Sequence, residues 1–252
     1  MMANAVEPHD NALLGALQPE DQCLIASRLQ RHVLNGGAIL LDPAQPFDRV
    51  YFPETAVIGL CAETAAGRPM GVGLVGREAM VGWEVLLGGA APALTAVTLL
   101  QGGTILSLPV ATLRRACDAS ATLTSALLRS VGALMQQLGA AVVSTASDPA
   151  ERRLARWLLM LHDRIDGDEL AIKHGELGVM LNLRRATITD CLHILEGERA
   201  LRCTRGRITV RDRAVLERFA ALFQGTEDGR GARSTRSGPP SGGTNLLLGF
   251  QA

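Results

Sequence analysis

The sequence predicts an α+β protein with an antiparallel β-roll over residues 10–110, a long helix over 111–147, and a small helical domain with a β-hairpin over 148–222. Three patterns predict this fold. Short apolar runs broken by glycine and proline fill the first part. An apolar stripe at helical spacing runs through the second, and two short helical patterns precede a hairpin pattern in the third. A chain of 252 residues is long enough for more than one hydrophobic core.

The strands of the β-roll are predicted from short apolar runs that alternate with turn residues. A helical lead-in over 10–31 precedes them. Between His32 and Pro109 the intervening segments are rich in glycine and proline, which is typical of antiparallel strands joined by tight turns. The apolar runs are 38–41, 50–52, 56–60, 70–75, 94–100 and 104–108.

Residues 71–76, GVGLVG, match the G-x-G-x-x-G fingerprint of dinucleotide-binding turns. Such a site needs a helix directly after the glycines and an acidic residue about 20 positions further on. Residues 85–117 contain no carboxylate, and 86–94, LLGGAAPAL, would interrupt a helix. We therefore predict strand and turn glycines in a protein that is not an enzyme and has no catalytic residue. A nucleotide-dependent oxidoreductase is kept as an alternative.

The distribution of charge and the spacing of the cysteines indicate which kinds of binding site the chain can form. Basic and acidic residues number 25 each, but residues 151–220 carry 14 basic and 11 acidic side chains, so positive charge is concentrated in the C-terminal part. The five cysteines are scattered without metal-ligand spacing, which predicts reduced thiols, no metal site and no cofactor. No signal peptide or uninterrupted apolar span is apparent, so we expect a cytoplasmic protein without a membrane contact.

The long helix carries an apolar stripe at steps of four and three residues. This spacing is typical of a helix that packs along a second helix. We predict that the stripe is the dimer interface, and packing on the β-roll of its own chain stays open as an alternative. The stripe consists of Leu123, Leu127, Val131, Leu134 and Leu138.

A second helix is predicted to begin after Ser147, at the domain boundary. Asp148 is the predicted N-cap, Pro149 the first helical residue, and Glu151 has the spacing of a capping box. At the other end of this domain, residues 223–252 are rich in glycine, serine and proline and are expected to form a disordered tail.

Residues 174–195, HGELGVMLNLRRATITDCLHIL, predict two short helices that cross at a tight turn. Asn182 falls at the turn, where a positive φ favours asparagine or glycine, and Gly178 leaves room for the second helix to approach. Apolar residues give each helix a buried face, as in a helix-turn-helix. These residues are Leu177, Leu181, Leu183, Ile188, Cys191 and Leu192.

The outer face of the second helix suits double-stranded DNA as a partner. An arginine at this position can donate to guanine, and a helix N-terminus attracts phosphate. A hairpin pattern over 200–210 follows with arginines at its tip, which is typical of a wing that contacts the DNA backbone. An interaction module that does not bind DNA is the alternative. The predicted DNA-binding residues are Arg184, Arg185, Thr187, Thr189, Asp190, Arg205 and Arg207.

A β-roll, a long helix and a C-terminal winged helix, in this order, resemble the Crp/Fnr family of bacterial transcription regulators. Residues 183–217 are the most specific part of the resemblance, and GREAMVG at 76–82 is similar to the family's phosphate-binding cassette. The resemblance implies a cyclic-nucleotide-binding-like β-roll and a homodimer on a two-fold-symmetric operator, with half-sites about one helical turn apart. It also implies RNA polymerase as a further partner.

The cassette departs from the family's pattern where the phosphate would bind. Glu78 matches the family's glutamate, but no lysine, arginine or histidine occurs between Arg77 and Arg114. Because burying a phosphate without a cation is costly, we expect that cyclic AMP does not bind in the usual way, and the effector stays open. The candidate effector pocket consists of Gly76, Arg77, Glu78, Ala79 and Met80.

Two further comparisons with the family concern sensing and operator choice. His32 or Cys61 could be proposed as haem ligands, although ordinary structural roles are expected for both. Arg185 matches the family's base-reading arginine, whereas Ala186 and Asp190 stand where a glutamate and a second arginine are common. The preferred operator should therefore differ from the best-known consensus of the family.

Overall fold

The β-roll consists of two antiparallel sheets in a computed structural model that describes residues 10–100 and 102–221. Its strands are β1 (Gln30–Leu34), β2 (Ile39–Leu41), β3 (Arg49–Pro53), β4 (Val57–Glu63), β5 (Pro69–Val75), β6 (Thr95–Leu99) and β7 (Gly103–Pro109). One sheet has the strand order β1-β7-β3 and the other has the order β2-β6-β4-β5. The β-roll predicted from the sequence is thus confirmed, whereas the tail predicted over 223–252 lies outside the described residues.

Side chains that point inward from paired strands build the core of the β-roll. Val50 and Phe52 on β3 are fully buried, and they lie opposite Leu108 and Leu106 of β7. Opposed apolar side chains on one face of an antiparallel pair pack directly against each other. Two short helices, α1 (Ala12–Gly15) and α2 (Pro19–Ile25), contribute to the same core.

Two helices follow the last strand, α3 (Val110–Ala119) and α4 (Ala121–Ser147). Ser120 caps α4, because its hydroxyl oxygen accepts a hydrogen bond from the backbone N–H of Leu123 at 3.1 Å. The same hydroxyl donates to the buried carboxylate of Asp21 at 2.5 Å, and Thr122 donates to that carboxylate at 2.8 Å. These bonds hold the start of α4 against α2.

The apolar stripe of α4 packs on the β-roll of its own chain, which is the alternative that the sequence left open. Leu123 and Leu127 are fully buried in the described chain, and Val131 and Leu134 are nearly so. Leu138 is partly buried and contacts β5. These side chains are therefore used within the subunit, and a partner helix would have to meet another face of α4.

The C-terminal part contains two crossed helices and a small antiparallel sheet, as predicted. Its sheet has the strand order β8-β10-β9, so the hairpin of β9 and β10 forms a wing beside the helices. The elements are α5 (Ala150–His162), β8 (Glu169–Leu170), α6 (His174–Leu181), α7 (Arg185–Gly197), β9 (Leu201–Thr204), β10 (Arg207–Val210) and α8 (Arg213–Ala221).

The prediction that Asp148 is the N-cap of α5 is wrong, because the helix begins at Ala150 with Pro149 as its N-cap. The carboxylate of Asp148 instead accepts a hydrogen bond from Ser144 at 2.6 Å and forms ion pairs with Arg152 and Arg156, each at 3.2 Å. Charge-assisted bonds to two guanidinium groups are stronger than a bond to a backbone N–H, so they determine where this carboxylate points.

The glycines of GVGLVG allow two helices to pack closely on β5. The strand pairs antiparallel with β4 and leads into a turn and a short 3-10 helix (Trp83–Leu87), so no helix begins at the glycines as a dinucleotide site requires. A Cβ atom on Gly71 would lie 2.7 Å from the carbonyl oxygen of Met180 on α6, and one on Gly73 would lie 2.9 Å from Leu138 on α4. The glycines therefore do not form the strand-to-helix turn on which the oxidoreductase alternative depends.

Candidate DNA-binding site

The turn between α6 and α7 depends on two residues with special backbone roles. Asn182 has φ 49° and ψ 48°, the left-handed conformation that the sequence predicts. The N–H of Leu183 donates to the carbonyl oxygen of Gly178 at 2.9 Å, and a Cβ atom on Gly178 would lie 2.9 Å from the carbonyl oxygen of Leu183. The tight turn therefore requires glycine at 178, and it sets the angle at which α7 leaves α6.

A continuous apolar face holds α7 in place. Ile188, Leu192 and Leu195 are fully buried, and they pack in one core with residues of α5 and α6. Burial of one face of a helix leaves the opposite face to solvent in a fixed orientation. The residues predicted to be buried in the two helices are confirmed: Leu177, Leu181, Ile188, Cys191 and Leu192. Leu183, at the turn, is partly buried.

Two adjacent arginines lie at the exposed start of α7. Arg184 is the N-cap of the helix, Arg185 is its first residue, and both side chains are exposed. Neither has an ion pair or side-chain hydrogen bond within residues 10–100 and 102–221. Asp190 is exposed one turn further along, and Thr187 is partly buried. The unpaired guanidinium groups are thus free to meet an anion or a base edge.

The hydroxyl of Thr189 is engaged within the protein, unlike the free hydroxyl that the sequence suggested. It donates to the carbonyl oxygen of Arg185 at 3.0 Å and lies 3.1 Å from Nδ1 of His174. Thr189 therefore orients the imidazole of His174 beside the start of α7.

His174 is a site residue that sequence reasoning missed. It is the first residue of α6, directly after Lys173, and it stands beside α7 through the contact with Thr189. The signal in the sequence is its position at the N-terminus of the first helix, since helix N-termini attract phosphate. The sequence patterns place the predicted DNA contacts on the second helix and on the wing, and none on the first helix.

Replacing His174 with glutamine should remove part of the acid sensitivity of the fold. Burial, followed by the positive charges of Arg185 and His193, lowers the pKa of His174 below its ordinary value of 6.5. The unfolded chain then takes up a proton at a higher pH than the folded chain does. The free energy of unfolding therefore falls as the pH drops from 6.5 towards the folded-state pKa, and it is unaffected by this group at higher pH.

Urea unfolding at neutral pH and about one pH unit below the ordinary histidine pKa measures this effect. We expect a smaller pH-dependent loss of stability for His174→Gln than for the wild type. His193→Gln is the control: it removes the smallest of the three influences on the pKa of His174, so it should keep most of the dependence. An unchanged pH dependence in His174→Gln would contradict the assignment.

Of the two arginines predicted at the tip of the wing, one is free and one is paired. Arg205 and Gly206 form the turn between β9 and β10, where Gly206 has φ 75° and Arg205 is exposed. Arg207 is also exposed, but its guanidinium group pairs with Glu169 of β8 at 2.5 Å. The charge of Arg205 is thus available at the tip of the wing, whereas Arg207 must give up or share an ion pair before it contacts another group.

Four cationic or titratable side chains line a single groove between the wing and the two helices. They are Lys173, His174, Arg185 and Arg205. Glu176 also lines the groove, and its carboxylate accepts a hydrogen bond from the backbone N–H of Lys173 at 2.8 Å. The groove combines two helix N-termini with excess positive charge, which is an arrangement suited to phosphate groups.

The residues of the candidate effector pocket are mostly engaged in the fold. Ala79 and Met80 are buried, and Met80 belongs to the core of the β-roll. Arg77 pairs with Asp166 at 2.9 Å, and Glu78 pairs with Arg164 at 2.7 Å. The backbone N–H of Gly76 donates to Glu78 at 3.1 Å. The loop at 76–80 is therefore tied to the segment that joins α5 to β8.

The residues weighed as haem ligands have structural contacts. Nε2 of His32 lies 2.7 Å from the hydroxyl of Ser107, and the sulfur of buried Cys61 lies 3.8 Å from that of Met180. Burial raises the pKa of the Cys61 thiol, which disfavours the thiolate that a metal needs. Among the described residues, no group of three or more His, Cys, Asp or Glu side chains is placed to hold a metal ion.

Two cysteines of the C-terminal part have thiols that stay protonated at neutral pH. Burial, followed by the charges of Glu151 and Asp190, raises the pKa of Cys191 to about 11. Burial and then the charge of Glu196 raise the pKa of Cys203 to about 11 as well. Because the thiolate is the reactive form, both residues act as small apolar side chains in the core of this domain.

Comparison with protein families matches residues 152–219 to the Crp-like helix-turn-helix domain. Among solved structures, a CRP-family transcriptional regulator from Thermus thermophilus has a TM-score of 0.64 at 19% identity, covering 75% of this chain and 96% of that one. FixK2 from Bradyrhizobium japonicum has a TM-score of 0.66 at 16% identity, with coverage of 76% and 96%. A second regulator of T. thermophilus, of the CRP/FNR family, has a TM-score of 0.62 at 20% identity, with coverage of 76% and 98%.

A search of curated proteins found no match. The solved structures share the order of a sheet domain, a long helix and a helix-turn-helix region, and at this identity they establish the fold. The matched family model covers α6, α7 and the wing. Residues 152–219 therefore form a Crp-like helix-turn-helix domain, and the chain has the fold of the Crp/Fnr-family transcription regulators.

Proposed function

We propose that this protein is a sequence-specific transcription regulator that binds operator DNA as a homodimer. The observation that supports it most is the pair of exposed, unpaired arginines at the start of α7. The buried face of α7 and the required turn at Gly178 hold these arginines rigidly. A fixed helix that presents unpaired arginines beside a basic wing has the geometry of a helix in the major groove.

We assign base reading to Arg185, and contacts with the DNA backbone to residues on either side of it. A guanidinium group donates bidentately to O6 and N7 of guanine, which distinguishes that base from the others. Lys173 and Arg205 line the same groove and would contact phosphates without reading sequence. Asp190 repels phosphate and suits the amino group of cytosine, so we expect a different operator from that of a regulator with arginine there.

A second apolar stripe on α4 is the proposed dimer interface. Met135 is 42% exposed and Val142 is 70% exposed, although both are large apolar residues. Cβ atoms built on Gly132 and Gly139 would meet nothing within 4 Å, so this face is open and a second helix could approach it closely. The stripe alternates steps of four and three and consists of Leu128, Gly132, Met135, Gly139, Val142 and Ala146.

This interface replaces the predicted stripe of Leu123, Leu127, Val131, Leu134 and Leu138, which is used within the subunit. By length and composition alone, α4 could also cross a membrane. We assign its open apolar face to a second copy of the chain, because the other face is already packed on the β-roll and Arg129 interrupts the helix with a charge. A cytoplasmic protein without a membrane contact follows from this assignment.

We do not assign cyclic AMP to the loop at 76–80. Glu78 is already paired with Arg164 there, and Arg77 with Asp166, so a phosphate would have to displace both ion pairs. RNA polymerase remains a prospective partner of the DNA-bound dimer, to which we assign no surface. The effector, if the protein has one, must bind the two conformations of the dimer with different affinities in order to regulate it.

Two alanine variants separate base reading from backbone contact. Arg185→Ala should weaken binding to a selected operator about tenfold to a hundredfold and leave non-specific binding nearly unchanged, because it removes a bidentate contact with guanine. Arg205→Ala should weaken binding to every duplex similarly and reduce the salt dependence by about one ion per subunit. Fluorescence anisotropy over a salt series, with operator and scrambled duplexes, measures both effects.

Arg115→Ala is the matched control, because Arg115 is exposed on α3 and lies outside the groove. It should bind both duplexes like the wild type. Equal operator discrimination by the wild type and Arg185→Ala would remove the base-reading assignment. Failure of the wild type to bind any duplex at low salt would favour the alternative, an interaction module that does not bind DNA.

A further inference from the structure

A cavity lies where the β-roll, α4, α5 and α6 meet. It has a volume of about 140 Å³. Its walls come from β5 at Gly71 and Gly73, from α4 at Ala141, from α5 at Trp157 and from α6 at Met180. None of these residues belongs to the loop at 76–80 or to the DNA-binding groove, so the cavity is separate from both.

The polar wall of the cavity holds an arginine without a carboxylate partner. Asp148 pairs with Arg152 and with Arg156, each at 3.2 Å. Arg153, which lies between these two arginines in the sequence, lines the cavity. Its side chain is partly buried and donates to the carbonyl oxygen of Leu181. It forms no ion pair with a described residue.

A partly buried guanidinium group without an anion is an unusual arrangement. Burial lowers the pKa of Arg153, with the charge of Asp148 acting in the opposite direction. Arginine remains charged in proteins, so the loss of hydration is best offset by an anion. The guanidinium group also has several N–H donors, and the carbonyl oxygen of Leu181 accepts from only one of its nitrogens. The cavity therefore offers a charged donor to a molecule that enters it.

The rest of the lining is largely apolar, with Met70, Trp157, Met160 and Met180 around the space and Gly71 on the β5 side. It also includes the polar residues Gln137, Ser144 and Thr145 and the guanidinium group of Arg156, which is paired with Asp148. The volume allows only a small molecule. An engineered protein cavity of about 150 Å³ lined by apolar side chains takes up benzene. Methionine and tryptophan side chains adapt well to such ligands, because they are polarizable and present a large contact area.

We propose that this cavity binds a small monocarboxylate with a compact apolar body, its carboxylate on Arg153 and its body against Trp157. A planar carboxylate matches the guanidinium group in two parallel hydrogen bonds. The ligand would contact both β5 and α6, and α6 is the first helix of the helix-turn-helix. Any change in DNA affinity on ligand binding depends on the proposed function, whereas binding of the carboxylate to the cavity is independent of it.

Calorimetric titration of the full chain with benzoate tests the site. Benzoate should bind saturably. Acetate lacks the apolar body and benzyl alcohol lacks the charge, so each should bind at least about tenfold more weakly than benzoate. Arg153→Met should abolish benzoate binding. Ala141→Leu should also abolish it, because the larger side chain occupies the cavity while Arg153 is retained.

Arg115→Met removes an exposed arginine elsewhere and should bind benzoate like the wild type. Circular dichroism establishes that each variant is folded, and Ala141→Leu keeps the test decisive if Arg153→Met does not fold. The proposal is overturned if benzoate does not bind at millimolar concentration, or if it binds equally to Ala141→Leu. Saturable binding of benzoate by a protein that ignores DNA would leave this site standing and remove the proposed function.

Discussion

Met135→Glu should convert the proposed dimer into folded monomers and weaken binding to a symmetric operator about a hundredfold or more. Met135 lies in the middle of the open apolar stripe of α4 and is 42% exposed in the single chain, so the change does not disturb the core. In a dimer it would place two carboxylates opposite each other in an apolar seam, which is costly. Loss of the linkage between two DNA-binding domains then removes the gain from simultaneous half-site binding.

Analytical ultracentrifugation measures the mass, and anisotropy with full and half operators measures the DNA affinity. Ala133→Glu is the matched control, because Ala133 is exposed on α4 outside the open stripe and the added charge is the same. It should stay dimeric. A Met135→Glu protein that remains dimeric would contradict the interface, and a monomeric wild type would contradict the homodimer itself.

Gly71→Ala should lower the free energy of unfolding by about 1–3 kcal/mol, as is typical of overpacking a core. The new Cβ atom would lie 2.7 Å from the carbonyl oxygen and 2.9 Å from the Cα atom of Met180. These are backbone atoms, so rotation of a side chain cannot relieve the contact. Helix α6 would have to move away from β5.

Gly197→Ala is the control for this variant, because a Cβ atom on Gly197 meets nothing within 4 Å and the residue ends helix α7. We expect this variant to be as stable as the wild type or slightly more so, since alanine favours helix more than glycine does. Urea unfolding followed by circular dichroism compares the three proteins. Equal stability of Gly71→Ala and the wild type would show that the two elements do not pack as described.

The helix-turn-helix was predictable because its constraints are local. A positive φ at Asn182, a close backbone approach at Gly178 and a buried face on α7 all involve residues within about twenty positions of each other. Each constraint restricts the residue type by sterics or by burial, so it can be recognised in the sequence. The β-roll was predictable in kind for the same reason, since its turns need glycine and proline.

The packing of α4 was not predictable, because the helix carries two apolar stripes. The stripe that contains Leu127 and the stripe that contains Met135 both advance by steps of four and three residues, and each fits a partner. Only the position of the β-roll decides which stripe is buried in the subunit. The glycines at 71 and 73 posed the same difficulty, because close approach to a helix and close approach to a phosphate both require glycine.

Ion pairs that compete for the predicted residues account for the remaining differences. Arg207 is paired with Glu169, which lies 38 residues earlier, and Asp148 is held by arginines that follow it on α5. Propensity at one position does not show which distant charge will compete for it. The sequence therefore indicated which side chains could contact DNA, whereas the structure distinguishes free Arg185 and Arg205 from paired Arg207 and engaged Thr189.

Dimethyl sulfate footprinting on a selected operator tests the placement of α7 in the major groove most directly, because the reagent methylates N7 of guanine there. We expect wild-type protein to protect one guanine in each of two symmetric half-sites about one helical turn apart. This protection should disappear in Arg185→Ala, while Arg205→Ala should retain it at saturating concentration. Protection that is absent, or that Arg185→Ala leaves unchanged, would contradict the proposed reading of DNA by this helix.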